Sequence, residues 1–206
     1  MTSLRSGVKL TLMKKLSTYL FLFLFSFSAP SFADDIQDFQ IEGMSLGDSL
    51  LDYFSEKEIK KNKKDYYTND KFTAVDFRGK SYFENYDGAQ IHYKTKSKKY
   101  IIYALDFMLE FENNINECYK KQEKIVKELS DLFISVKKDK RKNIKHSGDK
   151  SDKSTVTSVY LNFDSGDFAS VECYDWSKKM GYPDHLRVGI TLKELNDWLD
   201  TPNIYK

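Results

Sequence analysis

The fold is decided by one stretch, 100-YIIYALDFMLEFENNINECYKKQEKIVKELSDLF-133. Every second residue from Ile101 to Phe111 is apolar, a period of two that predicts a strand with one buried face. The apolar residues that follow fall three or four positions apart, which predicts an amphipathic helix, and Gln122 is the one polar residue on its stripe. Asn114 and Glu117 have the spacing of a capping box at the start of that helix. We therefore expect this strand and helix to form the centre of one core.

Further strands and short helices are predicted on both sides of this stretch. Alternating or β-rich residues indicate strands near residues 72–77, 90–95, 159–163, 168–176 and 186–190. Short helices are expected after Ser45, Ser55 and Thr191, because an acidic residue follows each hydroxyl at the third position. The predicted fold class is α+β, a mainly antiparallel sheet packed by one long central helix, with shorter helices near both ends.

Residues 137–153 stand apart from this pattern. They contain eight basic and three acidic residues, and Ile144 is their main apolar side chain. Because such a segment has little to bury, we expect a mobile basic loop there.

The first 33 residues have the three parts of a secretory signal peptide. Lys14 and Lys15 precede an apolar run over residues 19–27, and Ser31-Phe32-Ala33 places small residues where a signal peptidase cleaves. The run is shorter than the roughly 20 residues of a membrane span. Translation from Met1 or from Met13 fits this pattern. We predict cleavage after Ala33, leaving residues 34–206 as a single α+β domain, periplasmic or secreted and without a transmembrane segment.

The charge of the predicted mature chain gives no reason to expect a nucleic-acid partner. The whole chain has a formal charge of +2, but residues 1–33 hold four basic and no acidic side chains. Their removal leaves 29 basic and 31 acidic residues, so the mature chain is slightly acidic.

Residues 39–54, FQIEGMSLGDSLLDYF, resemble the opening of a group of bacterial secreted proteins that have no known activity. The resemblance covers 16 residues and implies export without implying a site or a cofactor. The turn Gly43-Met44-Ser45 into a helix is also similar to small envelope lipoproteins of the outer-membrane assembly machinery. The chain departs from those lipoproteins because no cysteine follows its apolar run.

Two cysteines remain after signal removal, Cys118 on the helix stripe and Cys173 on the small-residue face of a strand. An even count in an exported chain predicts a disulfide between them. The alternative is a catalytic Cys118 thiolate, because a helix N-terminus lowers the pKa of a thiol.

The sequence predicts neither a metal site nor a cofactor site. His92, His146 and His185 lack the spacing of metal ligands, and residues 164–167 are better explained as a hairpin turn than as a calcium loop. Aromatic residues near the C-terminus could line a ligand site, although aromatics beside a small core more often pack. The candidates are Trp176, Tyr182 and Trp198.

These observations predict an exported, non-enzymatic binding or interaction module whose ligand is unknown. One alternative is a hydrolase or thiol enzyme that uses Cys118, and another is a carrier of a small apolar ligand. An envelope protein and a small ligand are the partner classes considered.

Overall fold

Seven strands form one sheet in the order β1-β2-β3-β7-β6-β5-β4, and every neighbouring pair is antiparallel. The computed structural model describes residues 36–112, 114–133 and 135–206, so the predicted signal segment, residues 1–33, lies outside the described residues. The strands are β1 (Phe72–Arg78), β2 (Gly88–Lys94), β3 (Ile102–Glu110), β4 (Lys137–Lys145), β5 (Thr155–Asn162), β6 (Phe168–Asp175) and β7 (His185–Thr191).

In the described part of the chain, three α-helices accompany the sheet: α1 (Glu56–Lys61), α2 (Ile115–Leu132) and α3 (Lys193–Leu199). Together with three short 3-10 helices they make a mixed α+β fold, as predicted; the 3-10 helices span Ile36–Asp38, Leu50–Asp52 and Lys178–Met180. No helix of the described part is long and apolar enough to cross a membrane.

Only one of the predicted capping boxes forms. Ser55 and Glu58 cap α1 reciprocally, as expected. At α2, Asn114 makes no side-chain capping bond. α3 begins one residue later than Thr191 suggested, and the amide of Lys193 donates instead to Asp167 Oδ1 at 2.6 Å. A cap from the β5–β6 turn therefore replaces the local cap that the sequence indicated.

One face of the sheet is buried under two different segments. α2 packs against β6 and β7, with Cys118 and Leu129 in the core. The segment that precedes β1 covers β1, β2 and β3, and Phe54 stacks on Phe77 with ring centroids 3.9 Å apart. The helix predicted after Ser45 does not form, and the 3-10 helix Leu50–Asp52 takes its place. The backbone of this stretch forms hydrogen bonds with Tyr100 and Ile102 at the start of β3.

Gln122, the polar break in the α2 stripe, is 2 % exposed. Its Nε2 donates to the carbonyl oxygens of Thr157 and Val171, each at 2.8 Å. A polar residue at this core-facing position is therefore satisfied by the backbone of β5 and β6, since a buried amide requires partners.

The alternation predicted for β3 changes face at its start. β3 carries one extra residue opposite His92 and Tyr93, a β-bulge. As a result Ile102 enters the main core, while Tyr103 packs on the other face of the sheet. A bulge moves side chains to the opposite face because the side-chain period is two.

Residues 137–145 form strand β4, so the prediction of a loop is wrong for this half of residues 137–153. β4 pairs with β5, and the order Lys137↔Asn162 to Lys145↔Thr155 places it at the edge of the sheet. Backbone hydrogen bonds to β5 stabilise β4 in place of buried apolar side chains. A segment with almost no apolar residues can therefore form a strand at the edge of the sheet.

The second face of the sheet is only partly covered. α3 and the C-terminal residues pack over β1 and β3 in a small cluster that includes Phe72, Ala104, Leu195 and Trp198. Beyond this cluster, the same face carries polar and charged side chains from β1, β2, β3, β6 and β7. These side chains form the candidate site.

Candidate functional site on the polar sheet face

Strand register brings five polar side chains together on the second face of the sheet. Arg187 on β7 lies between Met108 on β3 and Glu172 on β6, and Asp106 on β3 lies beside Gln90 on β2. β1 adds Asp76, directly across from Gln90. We call this set, Asp76, Gln90, Asp106, Glu172 and Arg187, the polar cluster.

Arg187 connects the cluster. Its Nη2 donates to Asp106 Oδ2 at 2.8 Å and to Gln90 Oε1 at 3.2 Å. The side chain is 26 % exposed and that of Asp106 is 10 % exposed. Desolvation alone would lower the pKa of Arg187, but the nearby Asp106, Tyr174 and Glu172 raise it well above the usual value. The guanidinium therefore stays charged, as ion pairs with restricted access to water require.

Gly189 allows Asp106 to reach this position. The two residues are opposite each other on β7 and β3. A Cβ on residue 189 would lie 2.3 Å from Asp106 Oδ1, far inside van der Waals contact. Glycine is needed here because a carboxylate lies directly over its backbone, rather than for an unusual φ.

Glu172 receives three hydroxyl groups. Ser158 and Tyr160 donate to Oε1 at 2.9 and 2.8 Å, and Tyr174 donates to Oε2 at 3.1 Å. Burial, with the Glu172 charge second, raises the pKa of Tyr160 to about 12. These hydroxyls therefore remain protonated donors at neutral pH.

Asp76, the carboxylate that β1 adds to the cluster, is also held by hydrogen bonds from neighbouring side chains. Gln90 Nε2 donates to Asp76 Oδ1 at 3.0 Å, and the Tyr66 hydroxyl donates to Oδ2 at 2.7 Å. Within the described residues, Arg187 Nε and His92 Nδ1 are the buried side-chain atoms without a hydrogen-bond partner. Arg187 Nε is therefore the unpaired donor of a network that is otherwise internally bonded.

All three histidines favour the neutral form. His92 is 3 % exposed and its Nε2 lies 2.6 Å from the Tyr67 hydroxyl. Burial lowers the pKa of His92 to about 3 and that of His185 to about 4, and it also lowers the pKa of His146. A neutral imidazole adds no positive charge, so Arg187 faces the cluster's three carboxylates without help from His92 or His185.

Aromatic side chains surround the polar cluster; we call Tyr66, Tyr174, Trp176, Tyr182 and Tyr205 the aromatic rim. Tyr174 stacks on His185 at 4.7 Å and Trp176 packs against Tyr182 at 5.1 Å between ring centroids. Tyr182 and Tyr205 are 57 % and 60 % exposed. The Tyr66 hydroxyl donates to Asp76 of the cluster, and burial raises the pKa of Tyr205 against the smaller, opposite effect of the Arg187 charge. Large exposed rings beside buried charges are typical of ligand-binding surfaces rather than of packing.

The three aromatic residues singled out from the sequence separate in space. Trp176 and Tyr182 meet in the rim. Trp198 instead lies in the cluster under α3, is 7 % exposed, and donates from Nε1 to Asn69 Oδ1 at 2.9 Å.

Cys118 and Cys173 are joined in a disulfide, with their Cα atoms 5.9 Å apart and both residues fully buried. The bond ties the first turn of α2 to β6 on the core face, away from the polar cluster. Cys118 is therefore not available as a thiolate in this state.

Among the described residues, no group of three or more metal-ligating side chains is positioned to hold an ion. A shallow groove of about 360 Å³ lies beside β1 and is lined largely by polar and charged residues, including Lys63, Lys64, Asp65 and Lys206. Its polar lining does not favour an apolar ligand.

The sequence pattern did not identify the polar cluster. Asp76, Gln90, Glu172 and Arg187 lie on four different strands, so their proximity depends on the strand order. A signal was present in β6 and β7, where Glu172 and Arg187 alternate with buried apolar residues, but alternation alone indicates an exposed face.

Comparison with known proteins adds no relative: no protein-family model, curated protein or solved structure matches the chain.

Proposed function

We propose that this protein is an exported, non-enzymatic binding module and that the polar cluster with its aromatic rim is the ligand-binding surface. One observation carries the proposal: charged residues with little access to water lie on a sheet face that α2 leaves uncovered, next to strongly exposed rings. Burying charge costs free energy that an apolar surface would not cost. A functional role for the cluster explains that cost.

The chemistry of the surface favours a saccharide. Three carboxylates and one guanidinium give the cluster a negative balance, which disfavours phosphates and organic acids. The rings of Trp176 and Tyr182 offer apolar faces, and the carboxylate and amide oxygens can accept hydrogen bonds from hydroxyl groups. Sugar rings combine hydroxyl groups at their edges with apolar C–H faces, so they match both parts of the surface.

Export with cleavage after Ala33 belongs to the same proposal. Its support is the pattern of residues 1–33 together with a disulfide, which persists in oxidising compartments. A periplasmic or secreted module would meet cell-envelope polysaccharides there.

The other functional classes have less support. A thiol enzyme needs a free thiolate, and Cys118 is bonded and buried. An apolar-ligand carrier needs an enclosed apolar cavity, whereas the groove beside β1 is open and polar.

The test is to titrate the mature protein with soluble envelope-type oligosaccharides in a calorimeter. We expect saturable binding that Tyr182→Ala weakens about tenfold, roughly the 1.4 kcal/mol expected of one aromatic contact. Tyr53→Ala is the matched control, since Tyr53 is also exposed but belongs to the segment on the opposite face.

Unaltered binding by Tyr182→Ala, or equal weakening by the two variants, would reject the polar cluster with its aromatic rim as the site. A wild-type protein that binds none of the oligosaccharides would reject the saccharide assignment.

A further inference from the structure

The two edges of the sheet end differently. At β1 the preceding segment closes the edge: Lys64 N donates to the Ala74 oxygen at 2.9 Å and Asp76 N donates to the Asn62 oxygen at 3.0 Å. At β4 no backbone hydrogen bond reaches the outer edge from any described residue. An open edge presents a row of unpaired amide and carbonyl groups that can bind another strand.

The open edge is also strongly basic. β4 holds six basic residues and one acidic residue in nine positions. The Arg141 side chain already has partners within the protein. Its Nε donates to Asp139 Oδ2 at 2.9 Å, and its guanidinium lies 5.0 Å from the Tyr160 ring centroid. Among the described residues, the other cations of the strand form no ion pair except Lys145; the unpaired ones are Lys137, Lys138, Lys140 and Lys142.

Only the first part of β4 is regular enough to accept a strand. Its pairing with β5 keeps one register from Lys137 to Arg141, and then shifts before Ile144, with Asn143 at a φ of 51°. Lys138 and Lys140 therefore project from the same face of the regular part, about 6.8 Å apart, as residues i and i+2 of a strand.

We propose that β4 binds an extended acidic segment of a partner protein, which adds to the sheet as an eighth strand. Acidic residues at alternate positions of that segment would lie across from Lys138 and Lys140. The backbone of residues 137–141 would supply the hydrogen bonds. This surface is separate from the polar cluster, and the inference does not depend on saccharide binding.

The geometry favours a peptide over a membrane or a charged polysaccharide. Basic side chains leave β4 on both faces of the sheet, whereas a flat membrane would contact one face. A polyanion would use the charges but not the open backbone edge. Lysines at an edge also repel identical chains, so the same residues would discriminate against self-association while accepting an acidic strand.

The experiment uses two labelled isomeric peptides, TETETET and TEETTET, and fluorescence anisotropy with the mature protein at about 0.15 M salt, where surface charges are partly screened. Both peptides have the same composition and charge, but only the first has acidic residues two positions apart, the spacing of Lys138 and Lys140. We expect TETETET to bind about fivefold to tenfold more tightly, because two cross-strand ion pairs form only in that register. N-methylation of one alternate set of its amides should abolish this preference, and methylation of the other set should not.

The variant Lys138→Glu/Lys140→Glu should lose the preference, whereas Lys98→Glu/Lys99→Glu should keep it. The control makes the same change in net charge at two exposed lysines of the β2–β3 turn, which form no ion pair with any described residue. Circular dichroism of both variants checks that they fold. If the isomers bind equally, or if heparin fragments or anionic lipid vesicles bind more tightly than TETETET, charge alone governs the surface and the inference is wrong.

Discussion

At the scale of single residues, Gly189 and Asp106 depend on each other. An added methyl group at residue 189 would meet Asp106 Oδ1 at 2.3 Å, so Gly189→Ala must displace the carboxylate from Arg187. We predict that the substitution lowers the free energy of unfolding by about 1–3 kcal/mol, the usual cost of overpacking. Urea denaturation measures it.

A double-mutant cycle tests the physical reason. In an Asp106→Ala background the clash is gone, so Gly189→Ala should cost clearly less than in the wild type. An equal cost in both backgrounds would mean that the glycine is required for another reason.

His92 and His185 predict a pH dependence of stability. In the folded protein the pKa values of His92 and His185 are lowered to about 3 and about 4 by burial, whereas in the unfolded chain both groups bind protons below about pH 6.5. The unfolded state therefore binds more protons between those values. Stability is fully present above about pH 6.5 and falls on acidification, by roughly 1.4 kcal/mol per pH unit for each histidine.

Urea midpoints at pH 7 and pH 5 measure this loss, at pH values above the usual range of carboxylate titration. His92→Gln, which can retain a hydrogen bond to Tyr67, should reduce the difference between the two pH values. A difference that stays the same in the variant would show that His92 does not contribute.

At the scale of elements, the disulfide connects α2 to β6. Cys118 and Cys173 are separated by 55 positions, a loop whose closure is worth roughly 4 kcal/mol in the chain-entropy model. We predict that Cys118→Ala and Cys173→Ala reduce stability by similar amounts, because either change opens the same loop.

Thiol titration of the denatured, unreduced protein should find almost no free sulfhydryl. A native protein that reacts readily with iodoacetamide at Cys118, and that keeps its stability without this cysteine, would instead favour the thiol-enzyme alternative.

At the scale of the whole molecule, charge is distributed unevenly. Residues 137–145 carry a net charge of +5, so the remainder of residues 34–206 carries −7 although that whole range is nearly neutral. We predict that the exported chain begins at Asp34, because Ser31-Phe32-Ala33 places small residues where a signal peptidase cleaves. Cleavage there also removes the four basic residues of the signal segment. Mass spectrometry of the periplasmic and secreted fractions determines the terminus. A mature protein that begins upstream of Tyr19 would contradict export by this signal.

The sequence alone predicted the features that depend on local pattern. Strand β3 and helix α2 have hydrophobic periods of two and about 3.6, and the β5–β6 hairpin has a strong turn sequence, so all three were placed nearly correctly. The pairing of Cys118 with Cys173 followed from an even cysteine count and from the face that each residue occupies on its own element.

Tertiary structure decided what depends on partners. β4 is a strand because β5 supplies its hydrogen bonds, and Gln122 is buried because two carbonyl groups of the sheet accept its protons. The polar cluster exists because β2, β3, β7 and β6 lie side by side, which brings residues almost 100 positions apart, such as Gln90 and Arg187, into contact. Local periodicity reports which face a residue occupies, but only the strand order determines which residues share that face.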